Sequence, residues 1–425
     1  MRDEVIARHA DSESSILSSF RLPSSYFPIV PLAAPYWNGE TYRSILRCLI
    51  SFHIIDGPEL SELHSQIIAT LGVDDALLCG SGSLALEIAL RACEVRHGDE
   101  VVIPTFCCAA IVLPILAVGA VPVLADVGEE LNLAVETVKP VLTRKTKAVV
   151  VPHLFGNPAE IGAIVELAHK RSICVIDDAA QALGATIDGQ PVGSFGDAGI
   201  LSFGKEKICF GLGGGAVVSR RKEICCNYSA AELVRPRHLL TLRKFFSTLV
   251  WNHWRRWTLP VQRALGRRDS HGPEAPLTPY RNEKMASLNA AVARSLMQSL
   301  SENLSARRAR ALTYQELLKD VDGLRLIPHR SGSACLTQVA QVLPNRRGHD
   351  LAAEIIATLG RTGYEIQGSY VPIHLLGNYP ECVWDRLPNA ERIWADLIEL
   401  PCEPSVCLDD VEQIASIVRR AVAER

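Results

Sequence analysis

A chain of 425 residues is long enough for two domains around a substantial core, and 48% hydrophobic with 21% charged residues is the composition of a globular protein, not a disordered one. The formal net charge of −3 gives no global attraction to nucleic acid. The opening "MRDEVIARHADSESS" carries acids without an apolar stretch and does not read as a secretory leader, so a cytoplasmic location is expected.

In chain order, residues 1–30 read as an N-terminal arm. "DDALLCGSGSLALEIALRACEV" then reads as a short strand, a Gly/Ser turn and a helix, and "DEVVIPTF" as a strand ending in a proline turn. The apolar run from Ala109 to Ala125 approaches membrane-spanning length but holds Pro114, Gly119 and Pro122. It is expected to be a buried helix, a turn at Gly119 and a strand, "VPVLADV". "KAVVVPHLFG" follows as a strand, "AEIGAIVELAHKRS" as a helix, and "ICVIDDA", "AGILSFG" and "GGAVVS" as strands. Alternating strands and helices of this kind build a mainly parallel sheet, the large domain of residues 31–234, and such sheets bind ligands at the carboxyl ends of their strands. After an insertion at 235–279, residues 280–425 read as a smaller C-terminal α/β domain. The thirteen cysteines occur singly or as neighbours (Cys107 with Cys108, Cys225 with Cys226) and never as CxxC. That pattern predicts reduced thiols and no metal site.

Chemistry-bearing residues cluster at the strand ends. "GSGS" (80–83) precedes a helix, where small residues and a helix N-terminus suit an anion, although a helix cap explains the same residues. Asp178, at the end of an apolar strand, is followed by Gln181. A carboxylate there can pair with a cationic ring nitrogen; the plainer reading is a helix N-cap, which Asp177 could supply just as well. "LSFGKEKICFGLGGG" offers Ser202, Lys205, Lys207 and a glycine bend without the spacing of a nucleotide P-loop. An anion turn, an acid and a loop lysine in this order make a plausible site for pyridoxal 5′-phosphate.

The order of motifs resembles the DegT/DnrJ/EryC1/StrS family of sugar aminotransferases, fold type I. The resemblance rests on "GSLAL" (82–86), "GDEVVIP" from Gly98, "DAAQALGA" from Asp178, "SFGKEK" from Ser202, "NEKM" from Asn282 and "YVPIHL" from Tyr370. It implies a pyridoxal-phosphate-dependent aminotransferase moving an amino group from glutamate or glutamine to a keto sugar, usually nucleotide-linked, within a homodimer that shares its sites. On this resemblance Lys207 attaches the cofactor covalently and Asp178 pairs with its pyridine nitrogen. Gln181 approaches the phenolic oxygen. Gly82, Ser83, the Leu84 backbone and Ser202 bind the phosphate, and Asn282 reaches the phosphate of the neighbouring subunit. Phe106 or Cys108 packs on the cofactor, since Cys108 stands where many members carry an aromatic. His153, Tyr370 and His374 match positions near the substrate, each histidine being otherwise a structural one. Gly204 and the Gly213–Gly214 turn depart from the family pattern and put the substrate, more than the reaction class, in doubt. A dehydratase or lyase on the same scaffold is the alternative, and retention of the lysine argues against the histidine-bearing dehydratases. A non-enzymatic protein would need a decayed site.

The insertion has its own character. Residues 235–268 carry nine Lys or Arg and no Asp or Glu, with Trp251, Trp254 and Trp257 among them. An amphipathic segment of this kind suits either an anionic membrane surface or packing on a subunit.

Overall fold

The computed structural model describes residues 30, 32–221, 233–250, 280–343 and 350–423. Nearly all of the N-terminal arm, residues 251–279 with the three tryptophans, and Cys225 and Cys226 lie outside the described residues.

Among the described residues, nine strands precede the insertion: β1 (Asp75–Cys79), β2 (Glu100–Pro104), β3 (Val121–Ala125), β4 (Thr146–Pro152), β5 (Cys174–Asp178), β6 (Thr186–Ile187), β7 (Gln190–Pro191), β8 (Ala198–Ser202) and β9 (Gly215–Ser219). Seven of them form one sheet in the order β1-β9-β8-β5-β4-β2-β3, while β6 and β7 pair as a separate hairpin. Neighbours from β8 through β5, β4 and β2 to β3 are parallel, and β9 runs antiparallel to both β1 and β8. Both faces are covered, which is why the strands read as unbroken apolar runs. Val101, Ile103, Ala148, Val150 and Ile176 enter the core on one face, and Val102, Val149, Val151 and Val175 that on the other, the two-residue alternation of a pleated strand. The Ala109–Ala125 run divides as its prolines and glycine suggest: a 3₁₀ turn, helix Val112–Ala117 and strand β3. No helix among the described residues is long and apolar enough to cross a membrane.

Helix Ser287–Gln298 is nearly all buried and packs into the same core as helices Gly39–Ile50 and Glu59–Leu71. At Ser299 the chain turns into helix Leu300–Leu318, which lies against the second, antiparallel sheet. That sheet comprises β10 (Leu324–Leu326), β11 (Thr337–Val342), β12 (Gln367–Gly368) and β13 (Leu397–Pro401) in the order β10-β11-β13-β12. Helices Asp350–Arg361 and Leu408–Ala423 complete its core. The described part of the insertion forms a helix over 238–250 that buries Phe245 and Thr248 and leaves Leu239, Phe246 and Val250 exposed.

One sequence expectation is corrected here. Cys93, beyond the end of helix Gly82–Ala92, and Cys174, the first residue of β5, are joined as a disulfide across 81 residues of sequence, their Cα atoms 6.1 Å apart. Spacing along the chain gave no sign of this pair, because sheet order alone brings the two together. The other described cysteines are free.

Candidate active site

Adjacent carboxylates at the tip of β5 have opposite environments. Asp177 is fully buried beside the equally buried His153, with Oδ1 2.7 Å from Nε2, while Oδ2 accepts the Phe195 N–H at 2.9 Å. Ala159 N–H donates to His153 Nδ1 at 2.9 Å, so the ring proton is assigned to Nε2 and points at Asp177. The chain after Asp178 runs into turns, so Asp177 has no helix to cap and instead locks the ends of β4 and β5 together. Asp178 is half-buried, and its Oδ1 accepts the Ala180 N–H at 2.9 Å. Its other oxygen accepts no hydrogen bond among the described residues. Burial pushes its carboxyl above the ordinary value, opposed by the Ala180 N–H and by the charge of Lys207.

Gln181 is buried three residues further on. Its Nε2 donates to Tyr370 Oη at 3.1 Å, and its Oε1 accepts the Phe155 N–H, also at 3.1 Å. Phe155 adopts a left-handed backbone (φ 58°, ψ 19°), a costly state for an aromatic residue, and its ring stacks on Tyr370 at 5.9 Å. Phe106 meets Tyr370 edge-on at 6.0 Å. Since Phe106 is fully covered and Cys108 only half-buried, Cys108 is the more accessible of the two candidates for contact with a bound ring.

The anion turn differs in detail from the sequence expectation. Ser81 caps helix Gly82–Ala92, its Oγ accepting the Leu84 N–H at 3.2 Å, so that amide is already used. Ser83 and Ser202 are both half-buried. A Cβ on Gly82 would lie 2.9 Å from Ser202 Cβ and 3.0 Å from its Oγ, so only glycine lets the helix start meet the end of β8.

Beyond Ser202 the chain forms the loop 203–214, closed by Phe203 N–H to Gly214 O (2.9 Å) and Gly213 N–H to Phe203 O (3.0 Å). Lys205 is exposed and Lys207 half-buried, separated by Glu206 in a left-handed conformation (φ 59°). Such a conformation at a non-glycine residue persists only where its surroundings enforce it.

The remaining candidates divide. His374 is held between Thr105 Oγ1 (2.7 Å from Nδ1) and Glu391 Oε1 (3.2 Å from Nε2), tying the "YVPIHL" segment to the end of β2. Burial lowers its pKa from the ordinary value, with Glu391 and Asp126 opposing. Asn282 lies exposed, its carbonyl accepting the Val234 N–H. Among the described residues, no three His, Cys, Asp or Glu side chains gather as a metal site. Sequence reasoning missed the Asp177–His153 pair and Phe155, whereas the helix cap weighed for "GSGS" is supplied by Ser81. A usable sign of the first was that two neighbouring apolar strands both end in an ionisable residue.

The mainly parallel sheet covered by helices places the chain in the α/β class, and a family match makes it an aminotransferase. Residues 37–419 match the model of the DegT/DnrJ/EryC1/StrS aminotransferase family, and the chain belongs to that family. It is 30% identical over 404 residues to UDP-N-acetyl-3-dehydro-alpha-D-glucosamine 3-aminotransferase of Acidithiobacillus ferrooxidans, covering 93% of this chain and 98% of that one. GDP-perosamine synthase of Caulobacter vibrioides is 26% identical, covering 92% and 97%. Among solved structures, Helicobacter pylori PseC, an aminotransferase involved in the biosynthesis of pseudoaminic acid, shares the fold with a TM-score of 0.76 at 21% identity, covering 94% and 100%. An Escherichia coli GDP-4-keto-6-deoxy-D-mannose-3-dehydratase with bound hydrated pyridoxal phosphate shares it at 0.73 and 20% identity, covering 92% and 99%.

Proposed function

We propose that this enzyme transfers an amino group from glutamate or glutamine to a nucleotide-linked keto sugar, with pyridoxal 5′-phosphate as cofactor, acting as a cytoplasmic homodimer. The observation that carries the reading is the contrast at the tip of β5. Both Asp177 oxygens are satisfied, whereas Asp178 keeps one oxygen unbonded among the described residues, beside a lysine whose charge it feels. A half-buried carboxylate of that kind is suited to a cationic partner, and the protonated pyridine nitrogen of the cofactor is one. The side-chain-free contact of Gly82 with Ser202 suits a phosphate at the helix start.

The relatives named above act on nucleotide-linked sugars, which supports the substrate class. Pyridoxal phosphate, when bound, supplies an electron sink that stabilises negative charge at the α-carbon of the amino donor. Asp178 would hold the ring nitrogen, Gln181, which donates to Tyr370 Oη, would lie toward the phenolic oxygen, and the Ser83 and Ser202 hydroxyls would hold the phosphate together with Asn282 from the second subunit. Lys207 would be the residue that attaches the cofactor, and its Nζ would serve as the base that takes and returns the donor's α-proton, a role open to a neutral amine.

The test is incubation with ¹⁵N-labelled glutamate or glutamine and a panel of nucleotide-linked keto sugars, followed by mass spectrometry of the sugar. The reading requires label in an amino sugar. Donor turnover that labels none of the sugars would remove the substrate class, and loss of sugar hydroxyl without label would favour dehydration.

A further inference from the structure

The loop that carries Lys207 has no regular structure, yet several of its carbonyl groups are held by side chains that are buried or half-buried. Trp37 Nε1 donates to Phe210 O at 3.0 Å, and Asn289 Nδ2 contacts Leu212 O and Gly213 O at 3.3 and 3.2 Å. Closest in sequence to the lysine is the third of these. Asn303 Nδ2, on helix Leu300–Leu318, donates to Ile208 O at 3.2 Å.

Asn303 is 1% exposed, and the orientation of its amide is set by Arg307, one turn along the helix, whose Nε donates to Asn303 Oδ1 at 2.8 Å. With its oxygen engaged in this way, the amide must present its NH₂ to Ile208 O. Arg307 is itself 0% exposed. Its other nitrogens reach the second sheet: Nη1 donates to Leu336 O at 2.9 Å, just before β11, and Nη2 to Glu403 Oε2 at 2.6 Å, just after β13. The chain of contacts therefore begins beside Lys207 and ends in the smaller domain.

We propose that Asn303 is a positioning residue for Lys207, and that the Asn303–Arg307–Glu403 chain couples the lysine turn to the smaller domain. The inference rests on Lys207 being the residue that attaches the cofactor. Stability alone is a poor reason for such a chain, because a buried ion pair is often replaced by apolar side chains at no net cost. What an apolar replacement cannot supply is a directed donor at Ile208 O. Trp37 and Asn289 fix the far half of the loop, and Asn303 is the donor among these three that is tied through a guanidinium to the second sheet.

Two variants separate positioning from support. Asn303→Asp keeps an oxygen for Arg307 and removes the donor to Ile208 O. Arg307→Met with Glu403→Leu keeps buried volume and leaves the Asn303 amide free to turn. Each is compared with the parent by amide hydrogen exchange over 203–213, by the rate at which the cofactor-stripped protein acquires a borohydride-trapped pyridoxyl group on Lys207, and by kcat and KM. The expected result is faster exchange confined to the Lys207 end of the loop. Pyridoxyl trapping and kcat should both be about 10–100-fold slower, with the donor KM near that of the parent, the size of effect that misplacing a reacting group produces. Parental exchange and trapping rates in both variants would reduce the network to a structural staple. If either variant fails to fold, the other and Asn303→Ala carry the comparison. A trapped group on a different lysine in the parent would refute the assignment of Lys207, while the exchange measurement would still decide whether Asn303 holds the loop.

Discussion

The two halves of the active site are built by different means. At the tip of β5 the main chain does the positioning: Asp178 sits in register with Pro152 of β4 and Ile200 of β8, and the neighbouring Asp177 seals the strand ends. The lysine half lies on loop 203–214, outside any ladder, and is held by side chains from three separate stretches of sequence. The difference matches the tasks. On the proposed reading, a carboxylate that would hold a ring nitrogen does not have to move, whereas a lysine that would attach and release a cofactor has to. Loops held by a few side-chain contacts open more cheaply than sheet interiors.

The comparison is broken most severely at the lysine. Lys207→Ala is expected to abolish the pyridoxyl adduct and to lower turnover by at least about 10³-fold, whereas Lys205→Ala retains both. Peptide mapping after borohydride reduction checks this, and an adduct on Lys205 would exchange the two roles.

Next in size is Asp178→Asn, expected to lower single-turnover rates by about 10²–10³-fold, the usual cost of removing one preorganised electrostatic partner. Because burial already penalises this carboxylate, the variant without cofactor should unfold no more easily than the parent. A large drop in melting temperature would show that Asp178 is a structural residue after all.

A third test concerns the wall of the second sheet. Burial pushes the carboxyl of Glu399, on β13, from 4.5 up to about 7; Gln367 and Ser369 oppose the shift and Glu206 adds to it. The folded protein thus holds this proton more tightly than the unfolded chain. The associated stability is complete below pH about 4.5 and is lost as pH rises through about 7, in all about 3 kcal/mol. Urea midpoints of Glu399→Gln should lack this part of the pH dependence, and identical slopes in variant and parent would contradict it.

The smallest effect expected is that of Asp177→Asn. An amide there turns a donor toward either His153 Nε2 or the Phe195 N–H, at a cost of about 1–3 kcal/mol in stability, with single-turnover rates changed far less than in Asp178→Asn. A rate loss equal to that of Asp178→Asn would erase the distinction between the two acids.

Much of the fold was readable because the large sheet is buried on both faces, so its strands stand out as apolar runs with polar residues only where they end. Asp178, Gln181 and Ser202 were visible as chemistry-bearing residues at those ends, and the order of six motifs pointed to the family. What stayed hidden depends on partners distant in sequence. Asp177 looks like a helix cap until His153 is seen beside it, and Leu84 looks available until Ser81 takes its amide. Asn303 sits in a helical stretch with no motif around it, and its meaning comes entirely from Ile208, 95 residues away. The Cys93–Cys174 pair is of the same kind.

The placement of β9 bears on how the chain is made. Among the described residues, strand β1 pairs only with β9, its register running from Asp75 opposite Ser219 to Cys79 opposite Gly215, and helix Gly39–Ile50 packs against helix Ser287–Gln298, with Ser295 Oγ 3.1 Å from Thr41 Oγ1. Elongation proceeds at roughly 5–20 residues per second, so β1 waits on the order of ten seconds for its partner, and helix Gly39–Ile50 longer still. Over that interval an apolar edge stays open on a nascent chain that cannot yet close it. A ribosome stalled before residue 215 would expose a sticky intermediate, and chaperone capture should concentrate on chains of that length.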